Sequence, residues 1–389
     1  MEAQALSLVV HDTTVFSFGG DDREGLGWIT SATLGFPAHF ALAVAADEGR
    51  TPLGVLGFEA TFRDRDPPKT TWRRRRGSEN NEFKRWGRMV ASVRETVGDS
   101  RRVIHVMDRE ADCFELIDAL KQRADRFVIR LAYERRIEMH GPDDARTTTE
   151  ALARAEDVLE REVMLSHRIA KGRSSKDRER YPPRKGRIAR LRFRSASAEL
   201  KRPAETSKTA SPSTQVNLVH VYEVDTPAGE EPVEWRLVTS EPVDTAEQVA
   251  AVIDYYRGRW TIEEYFKSLK TGCAFEKRQL ESRNAMLNAL ALFATVAWRL
   301  LALRTLARTR GDTPARHALT PLQLQVLSLA SRRVKLPPEP SLREALLAIA
   351  GLGGHLKRNG EPGWRTLGDG FDQLLLLERG AAMARCVES

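Results

Sequence analysis

The chain has 389 residues, of which 41% are hydrophobic and 30% charged, which is a soluble globular profile. This length exceeds that of one ordinary core, so roughly two or three structural units are expected. The formal net charge of +8 suits a polyanionic partner such as nucleic acid, although an arginine-rich composition alone can make a chain basic. The cysteines Cys113, Cys273 and Cys386 form no CxxC pair, so neither a zinc site nor a disulfide framework is indicated.

The N-terminus lacks the basic start and apolar block of a signal peptide. No run in the sequence approaches the length expected of a membrane-spanning helix. We therefore expect a cytoplasmic protein.

The first third of the chain predicts a mixed α/β sheet. Short apolar runs punctuated by Gly and Pro predict strands at 6–18, 28–34, 38–46 and 52–62. They are followed by a helix at about 80–97, a buried strand at 102–107, an amphipathic helix at 108–123 and a strand at 126–131. A meander of strands followed by alternating helix and strand implies a mixed α/β sheet.

The section from about 135 to 242 has a different pattern. Its apolar residues alternate as in strands, without a helical period, and a polar basic stretch occupies 171–187. These features predict a β-rich insertion with a long loop. Helices are expected again at about 245–272, and long Leu/Ala-rich helices at 283–351.

Two aspartates lie on or beside the predicted strands. Asp12 belongs to LVVHDTTVFSF, and Asp108 directly follows the apolar strand VIHVM. Two-metal phosphoryl transfer needs hard oxygen ligands that hold two divalent cations roughly 4 Å apart. Taken alone, Asp108 is better explained as a helix N-cap, and Asp12 as a residue at a strand edge or turn. Neither residue is specific in isolation.

The segment YYRGRWTIEEYFKSLKTG (255–272) is more informative. Helical spacing places five polar side chains on one face, namely Tyr256, Arg259, Glu263, Lys267 and Lys270. A separate apolar stripe contains Ile262, Phe266 and Leu269. The alternative is a solvated face with intrahelical salt bridges. The Arg, Tyr and Trp side chains favour contacts with phosphates and bases instead.

The spacing Tyr256-x2-Arg259-x3-Glu263-x6-Lys270 resembles the Tyr-Arg-Glu-Lys signature of a family of bacterial insertion-sequence transposases, the family that includes the transposon-five enzyme. HDTTVFS (11–17) and MDREAD (107–112) resemble the segments around that family's first and second catalytic Asp. Further matches are RFVIR (126–130), LVTSEPVDTAEQ (237–248) and LGGHLKRNGEPGW (352–364).

The resemblance implies an RNase H-like fold in which Asp12, Asp108 and Glu263 form a DDE triad. This triad would bind two Mg²⁺ ions, with Mn²⁺ as a substitute. One ion would activate a water that attacks the phosphodiester, and the other would stabilise the leaving 3′ oxygen. The freed 3′-OH would then close a hairpin or join target DNA, without a covalent protein–DNA intermediate.

The resemblance also implies the DNA contacts. It assigns Tyr256, Arg259 and Lys270 to DNA near the cleaved end, with Lys267 on the same face. Trp235 matches a Trp that stacks on a base flipped from the transposon end, and Arg130 a basic residue that faces DNA. Without the resemblance, Trp235 is better explained as a core Trp of the insertion.

The expected organisation has four segments. They are the first part of the catalytic core (1–134), the β-rich insertion (135–242), the last part of the core with the signature helix (243–282) and a C-terminal helical dimerisation region (283–389). The expected partners are transposon ends and target DNA, bound by a homodimer in a synaptic complex. In a bacterial cell the protein would be cytoplasmic and associated with the nucleoid.

Members of the family carry an N-terminal helical domain that helps to recognise transposon ends. Here Met1 precedes the first catalytic Asp by only eleven residues, so that domain is expected to be absent. The alternative function is therefore a truncated, inactive copy that dimerises with a full-length transposase and inhibits it. A different RNase H-fold nuclease is disfavoured, because such enzymes lack the signature helix.

Other basic and imidazole groups receive weaker assignments. Arg73–Arg76 and the stretch 171–194 can neutralise phosphates. A lone charged run is more often a solvated loop, but beside a DNA-processing core these runs are expected to contact DNA. His11, His39 and His105 lie near the predicted triad but receive no metal role, because Mg²⁺ prefers oxygen ligands.

Overall fold

A computed structural model describes residues 6–19, 24–30, 32–63, 84–139, 145–167, 183–332, 335–356, 358 and 360–388. The chain divides into two compact units. The first unit combines 1–98 with 258–389, and the second consists of 99–257. The basic run Arg73–Arg76 and most of the predicted loop at 171–187 lie outside the described residues.

The strands, in chain order, are β1 (Ser7–Phe18), β2 (Trp28–Thr30), β3 (Thr33–Ala45), β4 (Pro52–Ala60), β5 (Val103–Met107), β6 (Arg126–Arg130), β7 (Ile137–Glu138), β8 (Asp157–Leu165), β9 (Arg187–Lys201), β10 (Ser213–Val224) and β11 (Glu234–Thr239). The α-helices are α1 (Lys84–Val97), α2 (Phe114–Gln122), α3 (Thr148–Arg154), α4 (Ala246–Arg257), α5 (Trp260–Lys267), α6 (Arg283–Thr309), α7 (Pro321–Ala330), α8 (Leu342–Leu352) and α9 (Trp364–Glu388).

The first unit contains an antiparallel sheet centred on β3. β3 pairs with β1 from Ser7↔Ala45 to Phe18↔Leu34, and with β2 and β4 on its other side. Nearly every residue of β3 is buried. A strand buried on both faces must be apolar on both, which explains the almost continuous apolar run in its sequence.

In the first unit, glycines let the C-terminal helices come into backbone contact with neighbouring segments. A Cβ atom added to Gly370 of α9 would lie 1.9 Å from the carbonyl oxygen of Ile349 in α8. One added to Gly368 would lie 2.0 Å from the carbonyl oxygen of Gly272. Only glycine therefore fits at these two helix crossings.

Helix α6 is the most apolar long helix of this unit. An 18-residue window in it has a mean hydropathy of 1.7, so it meets the length and composition of a membrane span. The expectation that no run approaches such a span is therefore wrong for α6. The core helix of a globular protein has the same character.

The second unit contains a mixed sheet in the order β5-β6-β11-β10-β9, with β7 and β8 both paired to β9. β5 and β6 are parallel, and the other pairs are antiparallel. Among the described Arg–carboxylate pairs of this unit, three have a buried carboxylate, namely Arg126–Glu241, Arg135–Asp112 and Arg187–Glu223. The mixed α/β class predicted from the sequence is confirmed, and it is consistent with an RNase H-like fold.

Four predicted elements differ from the structure. The helix predicted at 245–272 is α4 and α5, interrupted at Gly258 and Arg259 and followed by a π-helical turn at Ser268–Gly272. The helix predicted at 108–123 begins only at Phe114, after a 3-10 turn at Arg109–Ala111. The strands predicted at 28–34 and 38–46 are instead the short β2 and the long β3.

The predicted insertion contains a short helix that its sequence pattern did not indicate. Helix α3 starts after Thr147, whose side chain accepts a hydrogen bond from the backbone N–H of Glu150. It buries only Thr148, Ala151 and Leu152, too few apolar positions to give a visible helical period.

Candidate active site

Asp12 lies in the middle of β1, where it is opposite Phe40 in the register with β3. Its Oδ1 accepts a hydrogen bond of 2.7 Å from the backbone N–H of Thr13. Its Oδ2 accepts one of 2.9 Å from Nη1 of Arg259. The Asp12 side chain is 17% exposed, so its carboxylate is largely desolvated and its charge needs such partners.

Glu263 is joined to the same arginine. Arg259 immediately precedes α5, and Glu263 lies in the first turn of that helix, where a carboxylate is favoured by the helix dipole. Nη2 of Arg259 donates a hydrogen bond of 2.6 Å to Oε1 of Glu263, the i,i+4 neighbour. One guanidinium thus bridges Asp12 and Glu263, and its own side chain is only 11% exposed.

Lys270 approaches the same strand from the π-helical turn. Its Nζ donates a hydrogen bond of 2.5 Å to the carbonyl oxygen of Val15 and lies 5.4 Å from the centroid of the Phe16 ring. Glu276 is 3.9 Å away. Burial lowers the pKa of Lys270, and the charge of Glu276 opposes that shift. The cation is therefore held against β1, three residues beyond Asp12.

Lys267 is placed differently. Its Nζ pairs with Glu264 rather than with Glu263, and it is exposed. Glu264 also accepts a hydrogen bond of 3.2 Å from Nε1 of Trp364. Burial raises the pKa of Glu264, while Lys267 and Trp364 act against it, and the net pKa is lowered. Sequence reasoning missed Glu264, because its partner Trp364 is 100 residues away.

Tyr256 does not share a helix with the other signature residues. It lies on α4 in the second unit, whereas Arg259, Glu263 and Lys270 belong to the first. The prediction of one five-residue helix face is therefore wrong, because the helix stops at Gly258, the residue type that costs most in a helix after Pro. Tyr256 is buried and packs edge-on against Trp235 of β11, with ring centroids 5.4 Å apart.

Asp108 and Arg130 also lie in the second unit. Asp108 directly follows β5 and caps the 3-10 turn, with its Oδ1 accepting a hydrogen bond of 2.8 Å from the backbone N–H of Glu110. The capping alternative considered from the sequence is thus realised, and capping does not exclude a second role. Nη2 of Arg130 donates a hydrogen bond of 3.0 Å to the carbonyl oxygen of Glu234.

In the described part of the chain, no three His, Cys, Asp or Glu side chains are grouped so that they could hold a metal ion. The first unit brings Asp12 and Glu263 to one guanidinium. The convergence of Asp108 with these two carboxylates stays a prediction.

His39 and His105 are both buried, and burial lowers the pKa of each imidazole. His39 is buried, its Nδ1 lies 2.9 Å from Oγ1 of Thr13, and its ring centroid is 4.4 Å from that of Trp86. Burial, reinforced by the charges of Arg85 and Arg88, lowers the pKa of His39 to about 3. Burial likewise lowers the pKa of His105 in the second unit to about 4. Both imidazoles are therefore neutral near pH 7.

The sequence model of a known family, described as the transposase DDE domain, matches residues 75–299. This match covers more than half of the chain and includes Asp108, Arg259 and Glu263. Asp12 and Glu263 are, in addition, both bonded to Arg259 in the first unit. The chain belongs to the family of transposases that carry a DDE domain.

Proposed function

We propose that this transposase cleaves DNA at transposon ends through a hairpin intermediate and joins the ends to target DNA. The observation that supports this most directly is the bridge from Arg259 to Asp12 and Glu263. Asp12 and Arg259 are 247 positions apart, yet the first unit gathers two of the expected triad residues at one point. Asp108 is proposed as the third member.

The donor set fits divalent ions of the kind that DDE transposases use. Asp12, Asp108 and Glu263 offer only carboxylate oxygens, the ligands that Mg²⁺ and Mn²⁺ prefer. When bound, two Mg²⁺ ions would supply an activated water and a stabilised 3′ leaving oxygen. The protein's part is to hold the carboxylates in place, through the Thr13 N–H on Asp12 and the first turn of α5 beneath Glu263.

The proposed DNA contacts are cationic and aromatic. Arg259, Lys267, Lys270 and Arg130 can neutralise phosphates, which makes binding dependent on salt concentration. Trp235 is half-buried and packs against Tyr256. Its ring is therefore fixed in place while part of its surface stays accessible to a flipped base. Tyr256 supports that ring and is the less accessible of the two.

The proposed assembly is a homodimer in a synaptic complex with transposon ends and target DNA, located in the cytoplasm with the nucleoid. Large apolar side chains on α9 support a protein contact in the C-terminal region, since Leu376, Leu377 and Met383 are all exposed. Apolar groups repeated on one long surface helix are a usual feature of a helix that pairs with another chain.

The variant Asp12→Asn tests the proposed chemistry. The amide keeps the shape of the side chain but removes the charge that holds divalent ions. We expect Mn²⁺-dependent cleavage of a transposon-end duplex to fall on the order of 10³-fold or more. Salt-sensitive DNA binding should be retained, because the variant removes no Arg or Lys side chain. Gel assays of cleavage and fluorescence anisotropy of binding measure the two effects.

Asp254→Asn is the matched control, since Asp254 pairs with Arg161 and Arg257 in the second unit. It should cleave like the unmodified protein. Normal cleavage by Asp12→Asn would show that Asp12 is not a metal ligand and would refute the proposed triad.

A further inference from the structure

Arg259 occupies the very oxygen atoms that the proposed metal site needs. Its Nη1 is bonded to Oδ2 of Asp12 and its Nη2 to Oε1 of Glu263. Both are charge-assisted hydrogen bonds between largely or partly buried groups, which are the strong kind. A divalent cation on the same two oxygens would compete with the guanidinium for their lone pairs and would be repelled by its charge.

We propose that Arg259 is an internal latch on the metal site. Its guanidinium holds one oxygen of Asp12 and one of Glu263, and metal loading requires it to leave at least one of them. This inference rests on the proposed function, because it takes both carboxylates to be metal ligands. Arg259 is thus a competitor of the cation and not a support for its ligands.

The guanidinium already contacts an exposed aromatic ring while it bridges the two carboxylates. Its guanidinium carbon lies 5.2 Å from the centroid of the Trp260 ring, within the range of a cation–π contact. Trp260 is 52% exposed, so a guanidinium that moves toward the indole also moves toward solvent. There it can meet a DNA phosphate, for which its planar fork is suited.

Solvent access to the carboxylates favours the same order of events. The Glu263 side chain is 36% exposed, whereas Asp12 is 17% exposed. An incoming cation can therefore reach Glu263 first and separate it from Nη2 of Arg259. The hydrogen bond from Arg259 to the more buried Asp12 is then the last one that the cation replaces.

An Arg259 that supported metal binding would change the metal affinity in the opposite direction when it is replaced. A supporting arginine would hold both carboxylates in the geometry that a cation requires, and its loss would weaken metal binding. A latch opposes binding, and its loss strengthens it. The affinity for Mn²⁺ in the absence of DNA therefore distinguishes the two roles without any measurement of cleavage.

The experiment is isothermal titration of Mn²⁺ into the full chain, checked by the electron paramagnetic resonance of free Mn²⁺. We expect Arg259→Gln to bind Mn²⁺ roughly tenfold more tightly than the unmodified protein, since one nearby positive charge is removed. Arg257→Gln is the control. Arg257 pairs with Asp254 and should leave the affinity unchanged.

Arg259→Lys provides a second variant in case Arg259→Gln does not fold. A lysine keeps the charge but has a single ammonium, which cannot bridge two carboxylates as a planar fork does. We expect it to bind Mn²⁺ roughly threefold more tightly. Unchanged or weaker binding by the folded Arg259 variants would overturn the latch.

The variant Asp12→Asn distinguishes failure of the latch proposal from failure of the proposed metal site. If Asp12 is a ligand, this variant binds Mn²⁺ much more weakly than the unmodified protein. Unchanged binding by Asp12→Asn would refute the proposed metal site itself, whatever the Arg259 variants do. Weakened binding by Asp12→Asn together with tighter binding by Arg259→Gln supports both proposals.

Discussion

At the scale of single residues, β1 carries different chemistry on its two sides. Asp12 is bonded to Arg259, whereas the next residue, Thr13, is in contact with the buried His39. Successive side chains of a strand point to opposite faces, so the sequence predicts that Asp12 and Thr13 diverge. It does not identify their partners, because these depend on the strand register and on α5.

The neutral His39 makes stability depend on pH. Its folded-state pKa of about 3 lies below the ordinary value of 6.5, so the unfolded chain binds a proton that the folded chain excludes. The stabilisation is complete above pH 6.5 and is lost as pH falls toward 3. Each such histidine should contribute a slope of about 1.4 kcal/mol per pH unit in this window, and His105 acts in the same direction.

His39→Gln should therefore flatten the decline of unfolding free energy with falling pH, as measured by urea denaturation between about pH 7.5 and 4.5. His317→Gln, at an exposed position, should keep the slope of the unmodified protein. An unaltered slope in His39→Gln would mean that this imidazole becomes protonated in the folded state.

At the scale of elements, the signature segment shows what periodicity can and cannot predict. The apolar positions Ile262 and Leu269 are buried, as their helical spacing predicts. The interruption at Gly258 and Arg259 was not predicted, because a single Gly inside a helical pattern is often tolerated. Arg259 itself keeps helical backbone angles of −55° and −34°. The π-helical turn was not predicted either, since no particular residue type marks such a turn in a sequence.

The crossing of α9 with α8 yields a prediction that the sequence alone could not give. Gly370→Ala places a Cβ atom 1.9 Å from the Ile349 carbonyl, so the two helices must separate. We expect a loss of about 1–3 kcal/mol in the free energy of unfolding, measured by urea denaturation.

Gly380→Ala, on the same helix, is the control. No atom lies within 4 Å of its added Cβ, so it should gain up to about 1 kcal/mol from helix propensity. Equal stability changes in the two variants would show that α9 does not lie against α8 at Gly370.

At the scale of the whole molecule, the sequence predicted the class of fold and the placement of most strands. It succeeded where short apolar runs are bounded by Gly and Pro, as in β1 and β4. It failed at α3, whose few buried residues give no period, and it could not reveal how the chain divides. The partition into segments 1–134, 135–242, 243–282 and 283–389 stays a prediction beside the two compact units.

Exposed apolar residues on α9 form the proposed dimer contact. Leu376 and Met383 are seven positions apart and therefore lie on one side of α9, where they are 68% and 61% exposed. We expect a Leu376→Glu and Met383→Glu double variant to weaken dimerisation at least about tenfold, because two charges would be buried at the contact. Sedimentation equilibrium measures this effect.

Met164→Glu is the matched control, since Met164 is similarly exposed but lies on β8 of the second unit. It should dimerise normally. A dimer that tolerates both glutamates on α9 would place the contact elsewhere.

The long register between β1 and β3 limits how this protein can evolve. Its continuous pairing fixes which side of the sheet each β1 side chain occupies. An insertion or deletion of one residue before Asp12 would exchange the two sides. The carboxylate would then replace an imidazole in the apolar layer beside Trp86, and His11 or Thr13 would face Arg259. A shift of two residues would restore the two sides but would move the carboxylate about 7 Å along β1, away from Arg259.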